Sequence, residues 1–329
     1  QVFARKWRPQ TFSDVIGQKH VLRALINGLD SQRIHHAYLF TGTRGVGKTT
    51  LARVLAKALN CETGITSEPC GKCGSCLGFE KGQYVDLIEV DAASRTKVEE
   101  TRELLDNVQY LPSIGRFKIY LIDEVHMFSN HSFNALLKTL EEPPEHVKFL
   151  LATTDPKKLP VTVLSRCLQF NLLKVEKSEI SSHLGDLLTR EGVQFEQRGV
   201  ELLAKNALGS VRDALSLLDQ SVSHGGGVIT ESSVVEMLGI IDRDAVYSIL
   251  KSIALNDSKK LISAARELRI VGPDYSYVLS EILSILVRIA TVKALGDDAE
   301  SFEDDPDVCL LADLISQEDC QLFYQIELL

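Results

Sequence analysis

The segment Thr41-Gly-Thr-Arg-Gly-Val-Gly-Lys-Thr49 carries the spacing G-x-x-x-x-G-K-[ST] in full. Its chemistry is phosphate binding. Gly42, Thr43, Arg44, Gly45, Val46 and Gly47 let backbone N–H groups curl around phosphate oxygens, and the start of the following helix adds a positive dipole at Lys48, Thr49 and Thr50. Lys48 supplies a cation for the β- and γ-phosphates, and the Thr49 hydroxyl is a ligand for Mg²⁺. An apolar run, Ala37–Phe40, precedes the loop, and an amphipathic helix is expected from Thr49 to Leu59, so a chance Gly-rich turn is the poorer reading. A second segment, Lys118-Ile-Tyr-Leu-Ile-Asp123-Glu124, is a buried strand ending in two acids. Asp123 is suited to the Mg²⁺ shell at the carboxyl end of its strand, and Glu124 to polarising an attacking water as general base. A strand ending in Asp-Glu is weak evidence by itself. Paired with the loop, it points to a nucleoside triphosphatase, and the second acid favours ATP hydrolysis over binding alone.

Four of the seven cysteines crowd into sixteen residues as Cys61-x8-Cys70-x2-Cys73-x2-Cys76. Two overlapping C-x2-C units on Gly-containing loops can wrap one tetrahedral Zn²⁺, and a site saturated by protein sulfur is structural rather than catalytic. Unligated thiols are the alternative. No secretion signal is visible, so a disulfide framework is disfavoured and the cytoplasm is the expected location. Cys167, Cys309 and Cys320 read as ordinary buried or neutral cysteines. The absence of an initiator Met suggests a trimmed start.

These residues need a scaffold. Apolar, β-branched runs at Ala37–Phe40, Val85–Val90, Ile119–Ile122 and Val147–Ala152 predict four buried strands, with helices near 19–30, 48–60, 97–108 and 131–141 between them. That alternation predicts an α/β fold with a mostly parallel sheet, followed by all-α segments. The fourth strand is expected between the acid-bearing strand and the loop-bearing strand. Its end then places Thr154 within reach of the γ-phosphate or the water. Beyond about Glu176 the strand signal vanishes, and boundaries fall near 175 and 241. Gly296–Asp307 reads as a solvated acidic loop. The greasy stretch Tyr277–Leu295 is broken by Glu281, Arg288 and Lys293. Its apolar residues recur at helical spacing, so a bundle helix is expected rather than a membrane span.

Charge is divided unevenly. Residues 1–60 hold ten Lys/Arg against two Asp/Glu, whereas 241–329 hold eight against seventeen, and the whole chain is at −9. A free-standing nucleic-acid binder is usually basic throughout. Contact with DNA would therefore be local, while the basic first third suits a polyphosphate. Ser94-Arg95-Thr96-Lys97 opens a predicted helix and could grip a phosphate. A capped helix with solvated charges explains it equally well. Arg166, in Ser165-Arg-Cys167, and Arg212, at the start of a helix after Gly209, are on their own most simply surface or ion-pair arginines.

Together the quoted segments resemble a family. Ala4-Arg-Lys-Trp-Arg-Pro-Gln-Thr-Phe12, Asp14-Val-Ile-Gly-Gln18, the 42–49 loop, Asp123-Glu-Val-His126, Leu136-Leu-Lys-Thr-Leu-Glu-Glu-Pro-Pro144 and Ser165-Arg-Cys167 are similar to the clamp-loader AAA+ ATPases of bacterial replication. The likeness is dense from residue 2 to about 240 and looser to the end. It implies an AAA+ domain over 1–175 with a zinc module at about 61–80, a helical lid over 176–240, and over 241–329 a helical collar that stops early. It implies catalytic roles in cis for Lys48, Thr49, Asp123, Glu124, Thr154 and Arg212, and for Arg166 a reach to a neighbour's nucleotide. Ala4, Arg8, Val15 and Ile16, in a segment that covers the adenine, are implied base contacts. The implied cofactors are ATP, Mg²⁺ and Zn²⁺. The implied partners are delta and delta-prime type subunits of a hetero-pentameric ring, a sliding clamp, and primed duplex DNA met through Arg95, Thr96 and Lys97, with Lys138 and Lys158 as weaker candidates. Association with DNA-directed DNA polymerase, without polymerising itself, is implied as well. A non-hydrolysing scaffold subunit and a translocating helicase are the competing readings. The intact Lys48, Asp123 and Glu124 argue against the first, and the lack of a helicase-type motif against the second.

Overall fold

The predicted strands assemble into one parallel sheet in the computed structural model, which describes residues 3–94, 107–239, 243–271, 275–295 and 306–327. Its strands are β1 (Ala37–Thr41), β2 (Leu87–Asp91), β3 (Lys118–Asp123), β4 (Val147–Thr153) and β5 (Leu168–Asn171), in the order β2-β3-β4-β1-β5. Every residue of β1 and β4 is buried, as expected of parallel strands covered on both faces. As the pattern predicts, β4 lies between the acid-bearing β3 and the loop-bearing β1.

Three details depart from the expectations. β5 is a fifth strand that the apolar pattern does not reveal, because it is an edge strand whose side chains are mostly exposed. The second strand begins at Leu87 rather than Val85, and only Val90 on it is buried, again because it is an edge. The helix after the phosphate loop, expected to be amphipathic, is buried from Val54 to Asn60 on all sides. Lys57 is buried with it, and pairing with Glu80 at 2.8 Å offsets part of the cost of burial.

Helices cover both faces. α1 (Phe3–Lys6) starts the described chain and is followed by α2 (Lys19–Asp30) and α3 (Lys48–Asn60). The last two pack Val21, Leu25, Leu51 and Leu55 against Phe40, Leu121 and Leu150. α4 (Gly74–Lys81) carries Cys76 in its first turn and is capped by Cys73. On the other face, α5 (Asn130–Glu141) and α6 (Val161–Leu164) set Phe133, Leu136 and Val163 against Leu39, Tyr120 and Phe149. Ser129 caps α5 by accepting a hydrogen bond from Ser132 N at 3.2 Å. Of the predicted helix at 97–108, residues 97–106 lie outside the described residues.

Three helices follow, α7 (Lys177–Glu191), α8 (Gln197–Asn206) and α9 (Val211–His224). A two-residue parallel pair, β6 (Gln194–Phe195) with β7 (Val228–Ile229), ties the ends of this group together and is too short to leave a sequence pattern. The chain divides into two units, one running to Ile229 and one beginning at Thr230. The second unit holds α10 (Glu231–Leu238), α11 (Arg243–Ala254), α12 (Ser258–Val271), α13 (Tyr275–Leu295), α14 (Pro306–Leu314) and α15 (Gln317–Glu327). Val278, Ile282, Ile285, Leu286 and Ile289 of α13 form its core with Val308, Leu311 and Cys320. Asp307, read as loop, stands in α14, and 296–305 lie outside the described residues. No helix among the described residues is long and apolar enough to cross a membrane.

Candidate nucleotide site and cysteine cluster

At the carboxyl end of β1 the chain turns through Gly42–Gly47 into α3. Two glycines make the turn possible. Gly42 has φ +142°, and a Cβ there would stand 2.5 Å from the Leu172 carbonyl. Gly45 has φ +80°, and a Cβ there would meet Ser210 Oγ at 1.9 Å. Only glycine permits both the conformations and the approaches. Ser210 caps α9, accepting a hydrogen bond from Asp213 N at 3.2 Å, so the loop is packed directly on the start of that helix.

Lys48 is buried and folds back on its own loop, donating to the Gly42 and Thr43 carbonyls at 2.9 Å each. Burial lowers its pKa, while Glu124 and Asp123 oppose that shift. A cation so placed gains most when an anion enters the loop. Asp123 stands at the end of β3, two strands from β1, about 10 Å across the sheet. The gap is closed by Thr49, whose hydroxyl donates to Asp123 Oδ2 at 2.7 Å. These two oxygens are the hard ligands that Mg²⁺ prefers.

Glu124 follows in a left-handed conformation, φ +48°, which costs a non-glycine residue about 1–2 kcal/mol. Its Oε2 accepts hydrogen bonds from Thr154 N at 3.1 Å and Thr154 Oγ1 at 2.8 Å. Thr154, expected on the γ-phosphate or water, thus reaches the site through Glu124.

A cavity of about 340 Å³ joins these groups. It is lined by Arg44, Gly45, Val46, Gly47, Lys48, Thr49 and Thr50 of the loop, by Asp123 and Glu124, and by Arg8, Pro9, Val15 and Ile16 of the N-terminal segment. Val211, Arg212 and Leu215 of α9 close it. Val211 and Leu215 are additions that sequence reasoning missed, although their spacing of four, one helical turn, is visible in the chain. The Ala4 side chain lies outside the described residues. The N-terminal segment is tied down by Phe3 N, which donates to both Asp219 carboxylate oxygens at 2.9 Å, and by Trp7 Nε1, which donates to Glu191 Oε1 at 2.7 Å. Arg8 titrates at about 10, lowered by burial and then by the neighbouring Arg53 and Arg212, with Glu89 and Asp123 opposing. A buried Lys48, a half-buried Arg8 and the exposed Arg44 and Arg212 around a glycine loop are suited to a polyphosphate, and the apolar walls from Val15, Ile16, Val211 and Leu215 are suited to a base.

Arg166 does not line the cavity. It follows α6, on the sheet face opposite α3, donating to Glu141 Oε1 at 2.8 Å and to the Thr162 carbonyl at 2.9 Å. Arg95, Thr96 and Lys97 lie outside the described residues. Lys138 is exposed, and Lys158 pairs with Asp155 at 3.5 Å.

The sulfur atoms of Cys61, Cys70, Cys73 and Cys76 all lie within 4.8 Å of one another, as four ligands of one ion require. Cys70 N donates to Cys61 Sγ at 3.4 Å and Cys76 N to Cys73 Sγ at 3.3 Å, contacts that favour thiolates. Burial raises the Cys61 thiol, but hydrogen bonds from Cys70 and Thr63 outweigh it and bring the pKa down to about 6. Cys76 is pushed up, chiefly by burial. The donor set fits a soft divalent cation. By contrast, burial raises the Cys167 thiol to about 12, and Cys320 donates to the Leu286 carbonyl at 3.1 Å.

Comparison with known proteins extends this geometry. A family model described as DNA polymerase III, delta subunit, matches residues 17–176. Another, the DNA polymerase III clamp loader subunit ATPase lid domain, matches 179–227, and domain III of DNA polymerase III subunits gamma and tau matches 229–328. The chain is 57% identical over 329 residues to DNA polymerase III subunit tau of Escherichia coli (strain K12), covering 99% of this chain and 51% of that protein. It is 47% identical over 333 residues to subunit gamma of Buchnera aphidicola subsp. Baizongia pistaciae, covering 100% of this chain and 90% of that protein. It therefore spans about half the length of the tau relatives and most of that gamma subunit. Among solved structures, the RuvB Holliday junction branch migration motor of Thermotoga maritima matches with a TM-score of 0.54 at 21% identity. That match covers 84% of this chain and 91% of the other and speaks to the fold alone.

Proposed function

The chain belongs to the DNA polymerase III gamma/tau family, and on that premise we propose that it is the ATP-hydrolysing motor subunit of a clamp loader. In this reading it works in the cytoplasm, using ATP to load a sliding clamp onto primed DNA beside delta and delta-prime type subunits. It is associated with DNA-directed DNA polymerase without polymerising itself. Residues 1–175 are its AAA+ domain, 176–240 its lid and 241–329 its collar. The observation that carries the ATPase reading is the 2.7 Å contact between Thr49 Oγ1 and Asp123 Oδ2, beside an anchored Glu124 and a buried Lys48.

Lys48 and the loop amides hold the phosphates, Arg212 reaches them from α9, and Val15 and Ile16 pack on the base. Thr49 and Asp123 hold Mg²⁺, which supplies charge neutralisation for phosphoryl transfer when bound. Glu124 takes the proton of the attacking water. Arg95, Thr96 and Lys97 contact duplex phosphates without reading sequence. The test is the rate of ATP hydrolysis by the chain alone and in the assembled ring. A slow rate alone, raised severalfold by partner subunits, clamp and primed DNA together, is expected. A rate indifferent to all three would overturn the loader assignment.

In the same reading Cys61, Cys70, Cys73 and Cys76 hold a structural Zn²⁺. Purified protein is expected to carry about one zinc per chain, by the four-thiolate stoichiometry of such sites. Cys73→Ser removes a ligand and releases the metal while leaving nucleotide affinity in place, because the cysteines do not line the nucleotide cavity. Zinc-free protein prepared without chelator would refute the assignment.

A further inference from the structure

His126 follows the acids by two residues, and none of the roles assigned above uses it. Its side chain is only 9% exposed, so its polar atoms need partners. Nδ1 lies 2.9 Å from Thr153 Oγ1 and 3.3 Å from Glu124 Oε2. Thr153 is fully buried at the end of β4, and its Oγ1 already accepts a hydrogen bond from Asp155 N at 3.1 Å. A proton on Nδ1 can serve both neighbouring oxygens. With the proton on Nε2 instead, the Nδ1 lone pair would face a carboxylate. The surroundings therefore select the Nδ1–H tautomer.

We propose that His126 is a positioning residue for hydrolysis, holding Glu124 Oε2 toward the end of β4 so that Oε1 is left for the attacking water. The division of labour between the two oxygens is visible in the contacts. Oε2 takes both donors of Thr154 and faces His126, while Oε1 takes part in none of these contacts and Glu124 lines the nucleotide cavity. The need for a second anchor follows from the backbone. Glu124 is in the left-handed region, where a side chain has no regular neighbours along its own strand, so its direction is set by Thr154, just beyond β4, and by His126. The imidazole also links the end of β3 to Thr153, the residue just before Thr154. One part-buried hydrogen-bond chain thus ties the ends of β3 and β4 together at Glu124.

This inference rests on the reading of the chain as an ATPase with Glu124 as base, and the experiment separates the two. Steady-state hydrolysis is measured in the ring assembled with partner subunits, clamp and primed DNA. His126→Ala is expected to lower kcat about tenfold, part of the ~10²–10⁴ that a general base contributes, with KM unchanged. His126→Asn, whose amide N–H can occupy the place of Nδ1–H, recovers most of the rate, whereas His126→Gln, whose donor is displaced outward, does not. In a Glu124→Gln background His126→Ala adds little further loss, because the group it positions is already gone. A wild-type rate in His126→Ala, or losses that multiply in the double variant, overturns the proposal while leaving the ATPase reading intact. A wild-type ring that hydrolyses no ATP overturns both. Should His126→Ala fail to fold, the contrast between Asn and Gln decides, and equal rates for the two overturn the proposal.

Discussion

Replacing Glu124 with Gln is expected to leave ATP affinity unchanged and to lower hydrolysis in the assembled ring by ~10²–10⁴, or about 3–5 kcal/mol of barrier. The substitution keeps size and hydrogen-bonding length. The introduced amide can still accept from Thr154 through its carbonyl oxygen, so the turn after β3 stays in place. What it loses is the capacity to take a proton. Lys48→Ala has the opposite signature. It removes the buried cation whose partners among the described residues are the Gly42 and Thr43 carbonyls, and nucleotide binding itself falls. Equilibrium binding of a labelled nucleotide, measured beside single-turnover hydrolysis, distinguishes the two. Hydrolysis at the wild-type rate in Glu124→Gln would remove Glu124 from the role of base.

The second large effect concerns Arg166. Its guanidinium is held by Glu141 and the Thr162 carbonyl, beside helices that pack on the sheet face opposite the phosphate-loop helix. It cannot serve the cavity of its own chain from there without leaving both partners. In the proposed ring, Arg166 would leave Glu141 to meet the γ-phosphate of an adjacent subunit and stabilise charge developed in transfer. Such a finger is worth ~10³-fold or more in rate. Arg166→Ala is therefore expected to leave the isolated chain's ATP affinity unchanged and to remove most of the DNA-stimulated rate of the ring. Mixed rings test action in trans. An Arg166→Ala chain has an intact phosphate loop, and a Lys48→Ala chain has an intact finger, so a ring containing both can assemble complete sites between neighbours. Hydrolysis above that of either variant alone is the expected result. If it never exceeds them while subunits demonstrably exchange, Arg166 does not act in trans.

The parts legible beforehand share one property, that a local rule encodes them. The phosphate loop is read from its glycines because their positive φ angles and close approaches admit no other residue. The four cysteines are read from spacing because ligands of one ion must be near in sequence when the loops are short. Buried parallel strands leave long apolar runs, as in β1 and in β4 from Phe149 to Ala152. Edge strands do not, so β5 stays hidden and the start of β2 is misplaced by two residues. The helix expected to be amphipathic is enclosed instead, because the sheet, the N-terminal segment and the cysteine-bearing loops bury it on all sides. Its Lys57 is enclosed with it, paired with Glu80.

By itself, then, the sequence determined the inventory of groups: a phosphate loop, an acid pair at a strand end, a thiol cluster, and an α/β order that puts the loop and the acids at the carboxyl end of one sheet. Tertiary structure alone decided which of these groups touch. Thr49 meets Asp123 across two strands, 74 residues apart in the chain, and Thr154 reaches the site by holding Glu124. Val211 and Leu215 enter the cavity because Gly45 lets α9 pack directly on the loop. Glu141 restrains Arg166, and His126 turns inward between Thr153 and Glu124. The physical reason is that side-chain hydrogen bonds depend on distances of tenths of an ångström between elements remote in sequence. Those distances follow from the packing of the whole sheet and its helices, which no local pattern records.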